Sequence, residues 1–130
     1  MRAVYFLLIF MFISATALGG VRERVYRSAK EFFTSSRRPE YPLEARRKRQ
    51  VGDGRFRLYI GKSGRVTSVK MLRSTGHSLL DNAAVKAYMS WKAPPGLRRE
   101  ADVPVSFSMV EGSFSPPHQM PPFVVREFTD

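Results

Sequence analysis

Between Arg55 and Ile60 the chain alternates strictly, with Phe56, Leu58 and Ile60 on one side and Arg55, Arg57 and Tyr59 on the other. That period of two predicts a half-buried strand. Gly61-Lys62-Ser63-Gly64 reads as a turn, and Arg65 to Leu72 as the return strand, with Val69 and Met71 facing inward. Val66 breaks the alternation, which predicts a bulge near the turn. The period then changes. Leu80, Ala83, Ala84, Ala87, Tyr88 and Trp91 recur at helical spacing, with Ser78 as the expected cap, Asp81 three residues on, and Pro94-Pro95-Gly96 as the stop. Val103, Val105, Phe107 and Met109 restore the period of two, so Val103–Met109 is the last strand expected of the central region. Pro104 cannot donate to a ladder, and this predicts that the strand lies at an edge of its sheet.

The flanks are less regular. Tyr41-Pro42 opens a short helix through Gln50, with proline at a tolerated first position, Glu44 in the first turn and Arg46-Arg47-Lys48-Arg49 in the last. Gly52 is expected to stop it. Residues 21–38 are polar and basic, with a weak helical stripe through Val21, Val25, Ala29, Phe32 and Phe33, and read as a short basic linker holding at most one helix. The order helix, strand, strand, helix, strand predicts an α+β fold: a three-stranded antiparallel sheet with two helices on one face, resting on a core of marginal size. Residues 39–110 would form this domain, and 111–130 a Pro-rich tail that ends in the strand-like run Phe123–Phe128.

At the other end, Met1-Arg2 leads into a stretch from Ala3 to Val21 with no charge, closing on Ser14-Ala15-Thr16-Ala17-Leu18-Gly19-Gly20. Small residues after a short apolar run favour an export signal over residues 1–20, ahead of an uncleaved membrane anchor. Either way the rest of the chain lies across a membrane. If residues 21–38 were an extended linker they would reach at most about 60 Å.

Composition narrows the chemistry. The 130 residues carry 22 Lys and Arg against 11 Asp and Glu, a net charge of +11, and no cysteine. Disulfides and thiol chemistry are excluded, and His77 and His118 have no second ligand at metal spacing, so neither a metal nor another cofactor is expected. Ser74, His77, Ser78 and Asp81 superficially offer a hydrolytic set, yet neighbours in sequence do not make a triad, and the same residues suit a turn and a helix cap. No enzyme is expected.

With these pieces in order, the segment from Pro39 to Met109 resembles the C-terminal domain of the TonB family, the energy transducers of outer-membrane transport. The resemblance rests on Tyr41-Pro42 with Ala45, Gly54 before the alternating strand, Gly64-Arg65-Val66, Ser74-Thr75-Gly76, Leu80-Asp81 with Ala83-Ala84, Trp91 with Pro94, and Val103-Pro104-Val105 with Phe107. It implies a non-enzymatic periplasmic module that receives a short transporter segment, the TonB box, as an added strand. The receiving strand would be Val103, Pro104, Val105, Ser106, Phe107, Ser108 and Met109. Arg38, Pro39, Glu40 and Tyr41, around the Tyr-Pro pair, would supply further contacts, with Arg38 where well-known members carry glutamine. The implied partners are an outer-membrane transporter and inner-membrane motor proteins, with no nucleic acid. The family's long Pro-rich spacer has no counterpart here.

Two further readings come from the residues. Phe123–Phe128 could pair with the Val103–Met109 strand of its own chain or of a second copy, giving self-association through the tail. The alternative function is a basic envelope protein whose Arg46–Arg49 run grips anionic polymer or lipopolysaccharide.

Overall fold

The computed structural model describes residues 20–110, 113–115 and 122–129. The export signal or anchor expected over residues 1–20 lies outside these residues except for Gly20, as do Pro116-Pro117 and Pro121 of the tail. Among the described residues no helix is long and apolar enough to cross a membrane.

The hairpin forms as its pattern dictates. Strand β2 (Gly52–Ile60) pairs antiparallel with β3 (Val66–Arg73), and Phe56, Leu58 and Ile60 are buried. The register slips between Tyr59 and Ile60, so the bulge sits beside the turn where Val66 predicts it. Gly64 takes φ +90°, and a side chain there would strike the Ala93 carbonyl oxygen, so only glycine fits the turn. Of the two β3 residues expected to face inward, Val69 is half-buried, whereas Met71, opposite Phe56, is half exposed.

The long helix (Ser78–Tyr88) buries Leu80, Ala84 and Tyr88, while Ala83 and Ala87 are half-buried on its flank. Its N-cap is His77, with no side-chain cap bond; Ser78 is already in the first turn. Asp81 faces backwards and accepts from the Ser74 hydroxyl (2.5 Å), the Thr75 N–H (2.8 Å) and the Thr75 hydroxyl (2.7 Å). The expected cap residue is thus corrected by one position, and the seeming hydrolytic set is a corner that fastens β3 to the helix.

The short helix of the Tyr-Pro segment covers Leu43–Arg47 and ends before Gly52. Arg49 takes φ 54°, and the Gln50 N–H reaches the Ala45 carbonyl at 2.9 Å, a left-handed close built without glycine. Gly52 instead opens β2, where an added Cβ would fall 2.0 Å from the Thr75 carbonyl oxygen.

Two expectations are corrected. Residues 21–38 are not a linker. Val21–Tyr26 forms β1, and Ala29–Phe32 one turn of helix, α1; the helices over Leu43–Arg47 and Ser78–Tyr88 follow as α2 and α3. Phe32 and Phe33 enter the core, and the buried Trp91 donates its indole N–H to the Arg37 carbonyl at 2.7 Å. Secondly, the sheet is larger than three strands. The last central strand, β4, runs Arg98–Val110; β5 (Ser113–Ser115) returns on its end, and β6 is Phe123–Phe128. The order is β1-β6-β4-β2-β3, all neighbours antiparallel. The core lies on the side covered by the helices, where Phe123 of β6 stacks 6.0 Å from Phe33 and 5.7 Å from Tyr26.

Candidate functional site

The strand expected at an edge lies in the middle. β2 pairs with β4 from Arg99 to Phe107, and on the other flank β6 pairs with it from Arg98 to Asp102. The edge reading of Pro104 is therefore corrected. Each strand residue directs its N–H to one neighbour only, so a proline can stand opposite Arg55 in the β2 ladder. The β6 ladder stops at Asp102, two residues short of Pro104.

What remains of the expected site is narrower. Val103, Pro104, Val105, Ser106 and Phe107 pair with β2 and, among the described residues, with no strand on the opposite flank, whereas Ser108 and Met109 pair with β5. Val103, Val105 and Phe107 are buried on the helix side. Pro104, Ser106 and Ser108 alternate with them, and the Ser106 hydroxyl donates to Asp53 at 2.6 Å across the β2 ladder. Phe123–Phe128 does pair with β4 of its own chain, but at Arg98–Asp102 rather than at Val103–Met109.

A row of charges fixes β6 on the face away from the helices. Arg126 of β6 donates to Glu23 of β1 at 3.0 Å and to Asp102 of β4 at 3.4 Å, and Asp102 also receives Arg57 of β2 at 2.8 Å. The hydrogen bond to Asp102 raises the Arg57 guanidinium above its ordinary range, and the bond to Glu23 raises Arg126. On the opposite face Arg99 is buried. It donates to the Pro94 carbonyl at 2.5 Å and lies 5.4 Å from the Phe32 ring centre; burial lowers its pKa.

The four residues expected around the Tyr-Pro pair divide. Pro39 is fully buried. Tyr41 donates its hydroxyl to the Gln50 carbonyl and meets Phe107 edge-on at 5.2 Å, and burial raises its pKa. Tyr41 thus holds the segment against β4. Arg38 and Glu40 are exposed, and with Arg37 and Pro42 they form one wall of a groove of about 500 Å³. Helix α3 forms the other wall with Leu79, Asn82, Ala83, Lys86 and Ala87, continued by Ser90 just past its end. The α3 wall is absent from the sequence-based site. Its signal was the second row Leu79, Ala83, Ala87 at spacing four, beside the buried row. Among the described residues no group of His, Cys, Asp or Glu side chains could hold a metal ion.

The sheet, the covering helices and the Tyr-Pro segment packed on β4 describe a small α+β domain with an open antiparallel sheet. Residues 37–116 match the family of the Gram-negative bacterial TonB protein C-terminal, which is more than half of the 130 residues. The chain belongs to the TonB C-terminal family. Among curated proteins it is similar to the protein tonB2 of Pseudomonas aeruginosa, 31% identical over 88 residues, covering 63% of this chain and 33% of that protein. It is also similar to the protein TonB of Neisseria meningitidis serogroup C, 35% identical over 72 residues, covering 55% of this chain and 26% of that protein. The chain thus matches only about a quarter to a third of the length of these relatives.

Proposed function

We propose that the protein is a non-enzymatic periplasmic coupling module that takes a short extended segment of an outer-membrane transporter as an added strand along Val103–Phe107 of β4, and so supports energised transport. The observation that carries this reading is the stretch of β4 between Asp102 and Ser108, where β2 is the sole ladder partner among the described residues. Main-chain hydrogen bonds would supply affinity there, and the alternating side chains selectivity. Load entering at Gly20, which exchanges hydrogen bonds with Thr129, would pass through β1 and β6 into β4. Inner-membrane motor proteins are the expected source of that load.

The absence of cysteine allows a direct test. A Ser106→Cys variant is mixed with a transporter plug segment that carries one cysteine moved stepwise along its box. Strand addition predicts disulfide trapping at every second position of the box and none with a plug lacking it. Trapping that is equal at all positions, or equally strong for a Ser68→Cys variant on the β3 edge, would contradict the reading.

A further inference from the structure

We infer that the open face of the β2–β3 hairpin is a docking surface for an anionic phospholipid bilayer, separate from the strand-addition site and going beyond it. Arg55 of β2 stands directly opposite Arg73 of β3, and Arg57 opposite Lys70, on the face away from the helices. Like charges that face each other across a ladder destabilise it. A bulge creates one of these pairs. Met71 partners Phe56 while Arg73 partners Arg55, so Leu72 is left unpaired and Arg73 is turned onto the face of Arg55. With unbroken alternation Arg73 would point to the helix side. Arg57 is relieved by Asp102 at 2.8 Å. Among the described residues Arg55, Lys70 and Arg73 have no carboxylate at ion-pair distance, and all three are exposed. Arg55, Arg57 and Arg73 border a shallow hollow of about 790 Å³, to which Leu72, Pro104 and Ser106 contribute. Its carboxylates are Asp102, already engaged by Arg57 and Arg126, and Asp53, which accepts from Ser106.

Charge and shape together select the occupant. Guanidinium forks fit phosphate oxygens in pairs. A lone phosphate needs an enclosing cradle, whereas these cations lie exposed along two strands of an uncovered face. A soluble polyanion would leave apolar side chains uncovered. Leu72 is exposed at the hollow, and Val21 and Val25 of β1 are exposed on the same face, in line with Glu23 and its partner Arg126. A bilayer surface meets both demands, with headgroup phosphates at the cations and the interfacial layer at the aliphatic side chains. Tyr59, half-buried in the row of Arg55 and Arg57, has the apolar ring and polar tip that such an interface favours.

The test uses the full chain with Ser68→Cys, opposite Tyr59 on this face, carrying a polarity-sensitive dye. It is titrated with vesicles of phosphatidylcholine, with and without phosphatidylglycerol. Emission should shift to the blue with the anionic vesicles and much less with the neutral ones. Arg73→Ala should weaken binding to the anionic vesicles about fivefold, and Arg55→Ala combined with it about twenty-five-fold. Leu72→Ser should weaken it about threefold or more. Arg46→Ala with Arg47→Ala, exposed cations of α2 on the other side of the sheet, should change it less than about twofold. Arg73→Glu, which gives Arg55 an opposite charge, should raise the melting temperature while removing the preference for anionic vesicles. A fall in melting temperature would show that the pair serves the fold, and would overturn the inference. Equal losses from the α2 and hairpin pairs would do the same, since they would report total charge alone. So would equal shifts with neutral and anionic vesicles, or displacement of the vesicles by glycerol phosphate or polyglutamate at matched charge, which would assign the face to a free phosphate or an acidic chain. Disulfide trapping at Ser106 is scored separately, so this face and the β4 site can fail independently.

Discussion

Thr75 is nearly inaccessible, and three elements meet on it. Its carbonyl lies against Gly52 at the start of β2, its own position follows the end of β3, and its N–H and hydroxyl both reach Asp81 in the first turn of α3. Burial tends to raise the Asp81 carboxyl, but hydrogen bonds from Ser74 and Thr75 outweigh it and leave the pKa below its ordinary value. A carboxylate of depressed pKa contributes stability that is complete above its unfolded pKa and is lost as pH falls through the folded one. Stability at this corner is therefore expected to be flat near neutrality and to decline below about pH 4. Asp81→Asn should cost about 2 kcal/mol at pH 7, and the difference between parent and variant should shrink in urea melts repeated at progressively lower pH. A constant difference across that range would place the stabilisation elsewhere.

At the scale of elements, legibility followed burial. The β2–β3 hairpin and α3 each put one face in the core, so periods of two and of about four appear in the sequence. β1 does neither: five of its six residues are exposed, and its place comes from pairing with β6 and from Tyr26 against Phe32 and Phe123. No local pattern reports a strand held chiefly by another strand about a hundred residues away. Phe123–Phe128 was readable as a strand, but its register, set by the Glu23–Arg126–Asp102–Arg57 row across four strands, was not. Pro104 misled for a related reason, since it limits one flank of one residue and says nothing of Arg98–Asp102. Phe123 is the largest buried side chain of β6, so Phe123→Ala should lower unfolding free energy by about 3–4 kcal/mol. Hydrogen exchange should then quicken first at Arg98–Asp102. A loss below about 1 kcal/mol would show that β6 is not integral to the sheet.

For the whole molecule, membership of the TonB C-terminal family was legible because its markers are turn and anchor residues, Tyr41-Pro42, Gly64, Ser74-Thr75-Gly76 and Trp91, whose identity local geometry dictates. The candidate site was half legible. The identity of β4 was readable, but the narrowing to Val103–Phe107 depended on strands from both ends of the described chain, and the α3 groove on a tertiary neighbour. The stretch 21–38, expected as a short basic linker, instead contributes β1 to the sheet and Phe32 and Phe33 to the core. The most direct measurement on the central claim is amide hydrogen exchange of the full chain with and without a transporter plug segment carrying its box. The account predicts new protection confined to Val103–Phe107, with β3 unchanged. Protection appearing along Val66–Arg73, or none anywhere in β4, would contradict it.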